Sequence, residues 1–414
     1  MYRTLSCYIR SLNKDEYESL RELCRYSNNL YNVALYNIRQ HYFKEQKYLN
    51  YESNYHLCKE NENYKMIQAG VAQQTLKAAD RSFKSFFGLL KKASKGEYRH
   101  KDIRIPKYRE KGGSFSLILQ KNAINIRKGK IKVPMSRAFS KTHKPIYLTL
   151  PPILEGKVIE EIRIIPIYKG RYFKIQYCYK EEPLLLKQDS GKALAIDLGV
   201  NNLATCLTSD GTTFIMDGRK LKSINRHWNK RKARLQSIAA KQGLKTTKVI
   251  QDITIKRNNR CKDYIRKTAR YIINYAIDHK IGTIVCGYNP EMKKFLKLGK
   301  KNNQTFTQIS FSDLRNSLKF LCEYYGITYM EQEESYTSKA SFLDQDPMPA
   351  YPTKENASFS GKRIHRGLYQ TSTGQQLNAD VNAAANILRK SNVVSLEALY
   401  SSGVLGTPAR IRVT

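Results

Sequence analysis

The chain has 414 residues, of which 73 are Lys or Arg and 35 are Asp or Glu, so its formal net charge is +38. An excess of this size implies a polyanionic partner, because self-repulsion destabilises a compact chain. The hydrophobic fraction of 41% excludes a disordered basic tail, and no run approaches the ~20 apolar residues of a membrane span. We therefore expect a cytosolic protein that binds nucleic acid.

The first part of the chain predicts one strand and two long helices. The strand covers about residues 3–9, and the helices cover 14–45 and 68–93. In the second helix apolar side chains recur at helical spacing, with cations between them. From residue 103 to 185, short alternating runs separated by prolines indicate an antiparallel β-domain or barrel, which strand 3–9 could complete.

The second half begins after the polar segment 187–192 and predicts a strand-rich α/β domain. Three strands are expected at 192–198, 202–208 and 212–216, followed by a helical hairpin over 218–242 and 247–280. A strand at 282–286, a helix at 310–325, a strand at 327–333 and a helix at 379–390 then alternate. Residues 335–377 have the composition of a loop. A three-strand meander followed by alternating helices and strands is typical of an RNase H-like domain.

Three acidic positions stand out in this second half. Asp197 ends an apolar strand, Asp380 opens the last helix, and an acidic patch of Glu331, Glu333 and Glu334 follows strand 327–333. Asp197 alone could be a turn residue, and Asp380 alone could be a helix cap. Together, carboxylates from two strand ends and a helix terminus would hold two Mg²⁺ ions for phosphodiester hydrolysis.

The sequence resembles the TnpB (OrfB) family, transposon-encoded RNA-guided nucleases related to type V CRISPR effectors. The resemblance is carried by segments 27–36, 71–87, 105–117, 195–205 and 378–387. It implies a multidomain α/β protein with three parts and one insertion. These are a wedge β-barrel (1–12 and 100–187), a helical recognition lobe (13–99), a RuvC nuclease domain (188–334 and 378–414, with hairpin 218–280) and an insertion of the target-strand-loading type (335–377).

One departure from the family concerns its second catalytic acid. Gly287 stands where the family carries Glu at the end of strand 282–286, and Glu291 lies beyond the strand end. Either the nuclease is inactive or the acid has moved. Strand 327–333 should run parallel beside strand 282–286, so Glu334 should open on the same edge, as in a subgroup of the family; Glu333 is the competing choice. We expect Asp197, Glu334 and Asp380 to be catalytic and to ligate Mg²⁺.

A second departure concerns zinc. The family generally carries two CxxC pairs in the insertion, whereas residues 335–377 contain no cysteine and Ala340 stands where one would be. Asp344, Asp346 and His365 lack the spacing of zinc ligands. We therefore expect an insertion without zinc.

The resemblance implies an RNA-guided DNA endonuclease that uses a noncoding RNA from the transposon end and cuts matched double-stranded DNA. Candidate nucleic-acid contacts are the polar side chains of two helices: Gln73, Gln74, Lys77, Arg81, Arg226, Lys230, Arg231 and Arg234. Two alternatives stay open. Gly287 would suit a cleavage-deficient RNA-guided repressor, and an unguided RNase H-like transposase is the third possibility.

Overall fold

The computed structural model describes residues 1–289, 299–349, 358–403 and 405–413. The chain divides into two compact units, Met1–Glu181 and Glu182–Thr414. Both units mix helices and strands, as the sequence predicts. None of the described helices is long and apolar enough to cross a membrane.

The helices of the first unit lie near its N-terminus. In chain order the first elements are β1 (Tyr2–Ile9), α1 (Lys14–Glu45), α2 (Tyr51–Cys58), α3 (Glu62–Met66) and α4 (Ala69–Ser94). Helix α1 begins at a capping box formed by Asn13 and Glu16. The predicted helices 14–45 and 68–93 are confirmed, whereas α2 and α3 were not predicted because eight and five residues are too few to display a helical period.

The strands of the first unit form two antiparallel sheets around a shared apolar core. The remaining elements of this unit are β2 (Leu117–Gln120), β3 (Asn125–Arg127), β4 (Lys130–Lys132), α5 (Arg137–Ser140), β5 (Tyr147–Thr149), β6 (Ile159–Ile167) and β7 (Tyr172–Lys180). One sheet has the order β1–β7–β6–β2 and the other β3–β4–β5. Strand β1 pairs along its whole length with β7, from Tyr2 opposite Lys180 to Ile9 opposite Phe173, so the N-terminal strand joins this β-structure as expected.

The second unit is built on a six-stranded sheet. Its elements are β8 (Asp189–Asp197), β9 (Asn202–Thr208), β10 (Thr213–Asp217), α6 (Arg219–Lys241), α7 (Lys248–Asp278), β11 (Ile281–Tyr288), α8 (Lys300–Thr307), α9 (Phe311–Tyr325), β12 (Thr328–Glu333), β13 (Lys362–His365), β14 (Leu368–Gln370), β15 (Gln376–Asn378), α10 (Ala379–Ser391), α11 (Glu397–Ser402) and β16 (Ala409–Ile411).

The strand order of this sheet is β12–β11–β8–β9–β10–β16. Strands β8, β9 and β10 form an antiparallel meander, and β11 and β12 run parallel to β8. Side chains of α6, α7 and α9 cover one face of the sheet and side chains of α10 cover the other. This is the RNase H-like arrangement that the element order predicts.

The insertion before α10 is more ordered than its composition suggests. The expectation of a loop over 335–377 is wrong for its described part, which contains the small antiparallel sheet β13–β14–β15. These strands are only three or four residues long and mostly exposed, so they have too few residues to show an alternating pattern. The segment before them is held on α10, since Asn386 donates to the carbonyls of Thr337 and Ala340.

Candidate active site

Asp197 is the last residue of β8 and is partly buried. Asp197 lies two and four residues after Ala195 and Ala193 along β8, and these two alanines pack in an apolar cluster with side chains of α10. Because successive side chains alternate between the faces of a sheet, Asp197 lies on the α10 face. Its register partner on β9 is Thr205.

Asp380 is placed by the first turn of α10. The side chain of Asn378 caps this helix by accepting from the backbone N–H groups of Asp380 and Val381. The amide nitrogen of Asn202, at the start of β9, donates to Asp380 Oδ2 at 2.6 Å. A guanidinium nitrogen of Arg363, on β13, lies 3.6 Å from Asp380 Oδ1. The Asp380 carboxylate is therefore held between an amide and a cation.

The three glutamates of the acidic patch have different partners. Glu331 pairs with Arg315 of α9 at 3.1 Å. Glu333 accepts from Lys390 Nζ at 2.5 Å and from the Ser335 backbone N–H at 2.6 Å. Glu334 comes directly after β12 and its side chain is partly buried. Two of the three carboxylates are thus engaged by cations of neighbouring helices, and Glu334 is the one that turns toward β11.

The side chain of Glu334 lies beside Gly287, near the end of β11. Its Oε2 atom is 2.9 Å from the position that a Cβ atom on Gly287 would take. Residues 286 and 196 are register partners on β11 and β8, so Gly287 lies beside the strand end that carries Asp197. The alternative acid Glu291 lies outside the described residues.

The electrostatics connect these acids. Burial, followed by the negative charges of Asp380 and Glu334, raises the pKa of Asp197 well above its usual range, and Arg363 opposes the rise. Burial, together with Glu333, raises the pKa of Glu334 to about 7 against the influence of Arg315. Burial would also raise the pKa of Glu333, but the hydrogen bonds from Lys390 and Ser335 outweigh it and lower that pKa. The negative charges of both other candidate acids therefore act on the Asp197 carboxyl group.

The chemistry of these donors fits a hard divalent cation. Within the described ranges, no group of three or more His, Cys, Asp or Glu side chains is already gathered tightly enough to hold one ion. The donor set nevertheless consists of carboxylates that repel one another, and a cation would relieve that repulsion. The Oδ1 atom of Asn202 is also buried and lacks a hydrogen-bond partner among the described residues, next to Asp380.

Comparisons with known proteins agree with this architecture. The OrfB_IS605 family model, described as a probable transposase, matches residues 176–293, and a model described as Cas12f1-like, TNB domain, matches 311–387. The TnpB-like protein ORF457 of Acidianus two-tailed virus is 24% identical over 413 residues, covering 90% of this chain and 83% of that protein. The chain is thus similar to a TnpB-like protein over most of its length.

The fold of the chain is also similar to that of a protein in a solved effector complex. The cryo-EM structure of a Cas12f1–sgRNA–target DNA complex aligns with a TM-score of 0.56 at 16% identity, covering 91% of this chain and 83% of that one. At this identity the likeness concerns the fold alone. In general terms, the function of the TnpB family is of the RNA-guided nuclease type.

The predicted nucleic-acid contacts of the two helices lie in different surroundings. On α4, Gln73 hydrogen-bonds Tyr64, Lys77 Nζ lies 5.1 Å from the centre of the Tyr51 ring, and Arg81 is exposed. Gln74 is half-buried. On α6 the four predicted cations are all exposed: Arg226, Lys230, Arg231 and Arg234. The surface of α6 is thus the more accessible of the two.

Sequence reasoning missed four residues that surround the acids: Asn202, Arg363, Arg315 and Lys390. Asn202 lies within the segment 195–205 that carries the family resemblance, so its polar side chain at a turn was a usable signal. Arg363 lies in the insertion and also lines a cavity of about 460 Å³ with six other residues of the insertion: Ser338, Lys339, Phe359, Gly361, Lys362 and Tyr369. Lys390 is separated from Glu333 by 57 positions, and no local pattern links them.

Proposed function

We propose that this chain is an RNA-guided DNA endonuclease encoded by a transposon. It would cleave DNA that matches its guide RNA, next to a short flanking motif, by two-metal phosphodiester hydrolysis. The observation that carries the proposal is that the charges of Asp380 and Glu334 both act on the buried carboxyl group of Asp197, so that acids from two strand ends and a helix start lie close together. A cluster of like charges on one face of an RNase H-like sheet is costly unless cations are bound there.

Asp197, Glu334 and Asp380 would hold the Mg²⁺ ions. When bound, such ions activate water and stabilise the charge on the leaving oxygen. The protein's own residues orient these ligands. Asn202 fixes the rotamer of Asp380 through its 2.6 Å hydrogen bond, and Lys390 holds Glu333 away as a separate ion pair. Arg363 places a positive charge beside Asp380, where an entering phosphate would be attracted.

The partners proposed are a noncoding RNA from the transposon end and matched double-stranded DNA. The net charge of +38 is close to the roughly 40 phosphates of a ~20-base-pair heteroduplex. The exposed cations of α6 and the polar side chains of α4 are proposed to lie along this duplex. We further propose that residues 13–99 form the recognition lobe, 1–12 with 100–187 the RNA-binding wedge, 188–334 with 378–414 the nuclease, and 335–377 a strand-loading insertion without zinc.

The comparisons support the same assignment of partners. The solved Cas12f1 complex of similar fold contains an sgRNA and target DNA, and the OrfB model is described as a probable transposase. A guided nuclease uses the positive charge of both units, since guide and target phosphates extend well beyond the active site. An unguided transposase would not carry a defined RNA, so RNA content is the property that separates the two.

The test is to express the chain with its native flanking DNA and to sequence any RNA that co-purifies. The complex is then programmed with a new guide and given Mg²⁺ and matched or mismatched DNA. We expect a defined RNA and cleavage of matched DNA only, with Asp197→Asn binding matched DNA but leaving it intact. Matched binding without cleavage by the wild type would instead identify a repressor, and purification without a defined RNA would support an unguided enzyme.

A further inference from the structure

Gly287 lies on β11, next to the end of β8 that carries Asp197. A side chain at this position would point toward the candidate active site. Its backbone is not in the left-handed region, so any residue could adopt its conformation. The backbone conformation at position 287 therefore does not require a glycine. What distinguishes glycine here is the space that it leaves on the α10 face of β11.

Three atoms surround the space where a Cβ atom on Gly287 would stand. They are Ile387 Cδ1 at 2.7 Å, Glu334 Oε2 at 2.9 Å and the Ile196 carbonyl oxygen at 3.3 Å. Non-bonded carbon atoms prefer separations of about 3.5–4.0 Å, so the first two atoms would have to move. Ile387 could yield at the end of a flexible side chain, whereas a shift of Glu334 would displace a carboxylate of the site.

We propose that Gly287 is a positioning residue, whose missing side chain provides the space in which the Glu334 carboxylate reaches the site. The inference rests on the proposed function, because it concerns the role of Glu334. Residues 287 and 334 then act as a pair on neighbouring parallel strands. A side chain at 287 excludes the Glu334 carboxylate, and a carboxylate at 334 requires the gap at 287.

The surroundings of Glu334 leave it few other positions. Glu333, directly before it, is fixed by Lys390 at 2.5 Å, and Arg315 is paired with Glu331 at 3.1 Å. The side chain of Glu334 is partly buried, and a carboxylate displaced from the gap would move away from Asp197, on whose pKa its charge now acts. We therefore expect displacement to weaken metal binding more than it weakens folding.

The geometry also allows the carboxylate to be moved. The oxygens of an aspartate stand two bonds beyond its Cβ atom, so an aspartate introduced by Gly287→Asp would reach the region that the Glu334 carboxylate occupies. Removal of the Glu334 side chain would vacate that region. The acid can then be supplied from either strand, but not from both at once.

The test uses Ile387→Val as background, since this change removes the Cδ1 atom and leaves the contact with Glu334 as the main clash. Mn²⁺ affinity is measured by calorimetry on the protein–RNA complex, and cleavage and thermal stability are measured beside it. We expect Ile387→Val to behave as wild type. Adding Gly287→Ala should weaken Mn²⁺ binding and slow cleavage by about 10- to 100-fold, with the melting temperature nearly unchanged.

A transfer of the acid completes the test. In the same background, Gly287→Asp with Glu334→Ala should cleave roughly tenfold faster than Glu334→Ala alone. Unchanged Mn²⁺ affinity after Gly287→Ala would overturn the inference, and so would a transfer variant that cleaves no faster than Glu334→Ala. In either case Glu334→Gln still tests the proposed function by itself. A wild-type complex that neither binds Mn²⁺ nor cleaves would overturn the proposed function and this inference with it.

Discussion

Lys390 Nζ of α10 lies 2.5 Å from a carboxylate oxygen of Glu333 at the end of β12. This ion pair separates the roles of two adjacent glutamates. It keeps Glu333 charged and engaged, with a lowered pKa, while burial and the neighbouring Glu333 charge raise the pKa of Glu334 to about 7. A carboxylate that is buried without a cationic partner is the one suited to bind a metal ion.

The raised pKa values predict how stability depends on pH in the absence of metal. A carboxyl group with a folded pKa above its unfolded value stabilises the fold below the unfolded pKa and loses that contribution as pH rises through the folded pKa. For Glu334 the window runs from 4.5 to about 7, and Asp197 shifts in the same direction. The melting temperature without Mg²⁺ should therefore fall as pH rises through this window, and Glu334→Gln should reduce the fall.

Mg²⁺ should reverse this effect, because protons and metal ions compete for the same carboxylates. The stabilisation by Mg²⁺, measured by differential scanning fluorimetry, should be larger at pH 8 than at pH 5. Asp263→Asn is the control, since Asp263 is 63% exposed and remote from the three acids in the sequence. Equal stabilisation at both pH values would argue against metal binding by the acids.

The insertion should depend on Asp346 for its order. This residue is 6% exposed, and its carboxylate accepts from the Ser341 backbone N–H at 2.7 Å and from the Ser360 backbone N–H at 3.1 Å. Asp346→Ala removes an ionic acceptor from one buried and one partly buried donor, so it should cost about 2 kcal/mol locally. Hydrogen exchange at Ser341 and Ser360 should accelerate, whereas the exposed change Glu323→Gln on α9 should leave it unaltered.

The same experiment examines the expectation that zinc is not needed. If the carboxylate of Asp346 organises the insertion, a strong zinc chelator should leave exchange at Ser341 and Ser360 as it was. Faster exchange with the chelator would instead reveal a metal-dependent fold.

Asp217 should anchor strand β16 to the six-stranded sheet. Its side chain is fully buried at the end of β10 and lies 3.2 Å from Arg410 and 3.1 Å from Arg412. Because the arginines are partly solvated, Asp217→Asn should lower the free energy of unfolding by about 2–4 kcal/mol, less than for a fully buried triad. Urea denaturation measures the change. Asp263→Asn, which disrupts an exposed pair with Lys267, should cost under about 0.5 kcal/mol.

The basic surface of α6 should contribute to affinity through phosphates. Replacing Arg226, Lys230, Arg231 and Arg234 with Gln should lower the slope of log K against log salt by up to about 3 to 4 for a matched target. Filter binding at several salt concentrations gives this slope. The matched control changes the three arginines to Lys, which keeps the charge and should keep the slope. Equal slopes for both variants would place the duplex elsewhere.

Much of the fold could be predicted because it follows from local patterns. The apolar run before Asp197 ends where β8 ends, and the small apolar residues after Asp380 mark the face of α10 that docks on the sheet. Helix α1 has the predicted bounds because its capping box and long apolar stripe lie within the helix itself. Such features need no knowledge of distant residues.

The parts that could not be predicted depend on distant contacts. The choice between Glu333 and Glu334 involves Lys390, and the reason for Gly287 involves Glu334 and Ile387. The segment of the insertion that precedes its strands is held by Asn382, Asn386 and Asp346, which bind its backbone. In each case the deciding partner lies on another element, where a single-sequence pattern gives no signal.

The most direct test of the account compares two adjacent substitutions. Single-turnover cleavage of matched DNA is measured for the RNA-loaded wild type, Glu334→Gln and Glu333→Gln, with DNA binding measured in parallel. We predict that Glu334→Gln slows cleavage by about a hundredfold or more with binding unchanged, whereas Glu333→Gln stays within several-fold of wild type. Cleavage that survives Glu334→Gln and is lost in Glu333→Gln would contradict the assignment of the second acid.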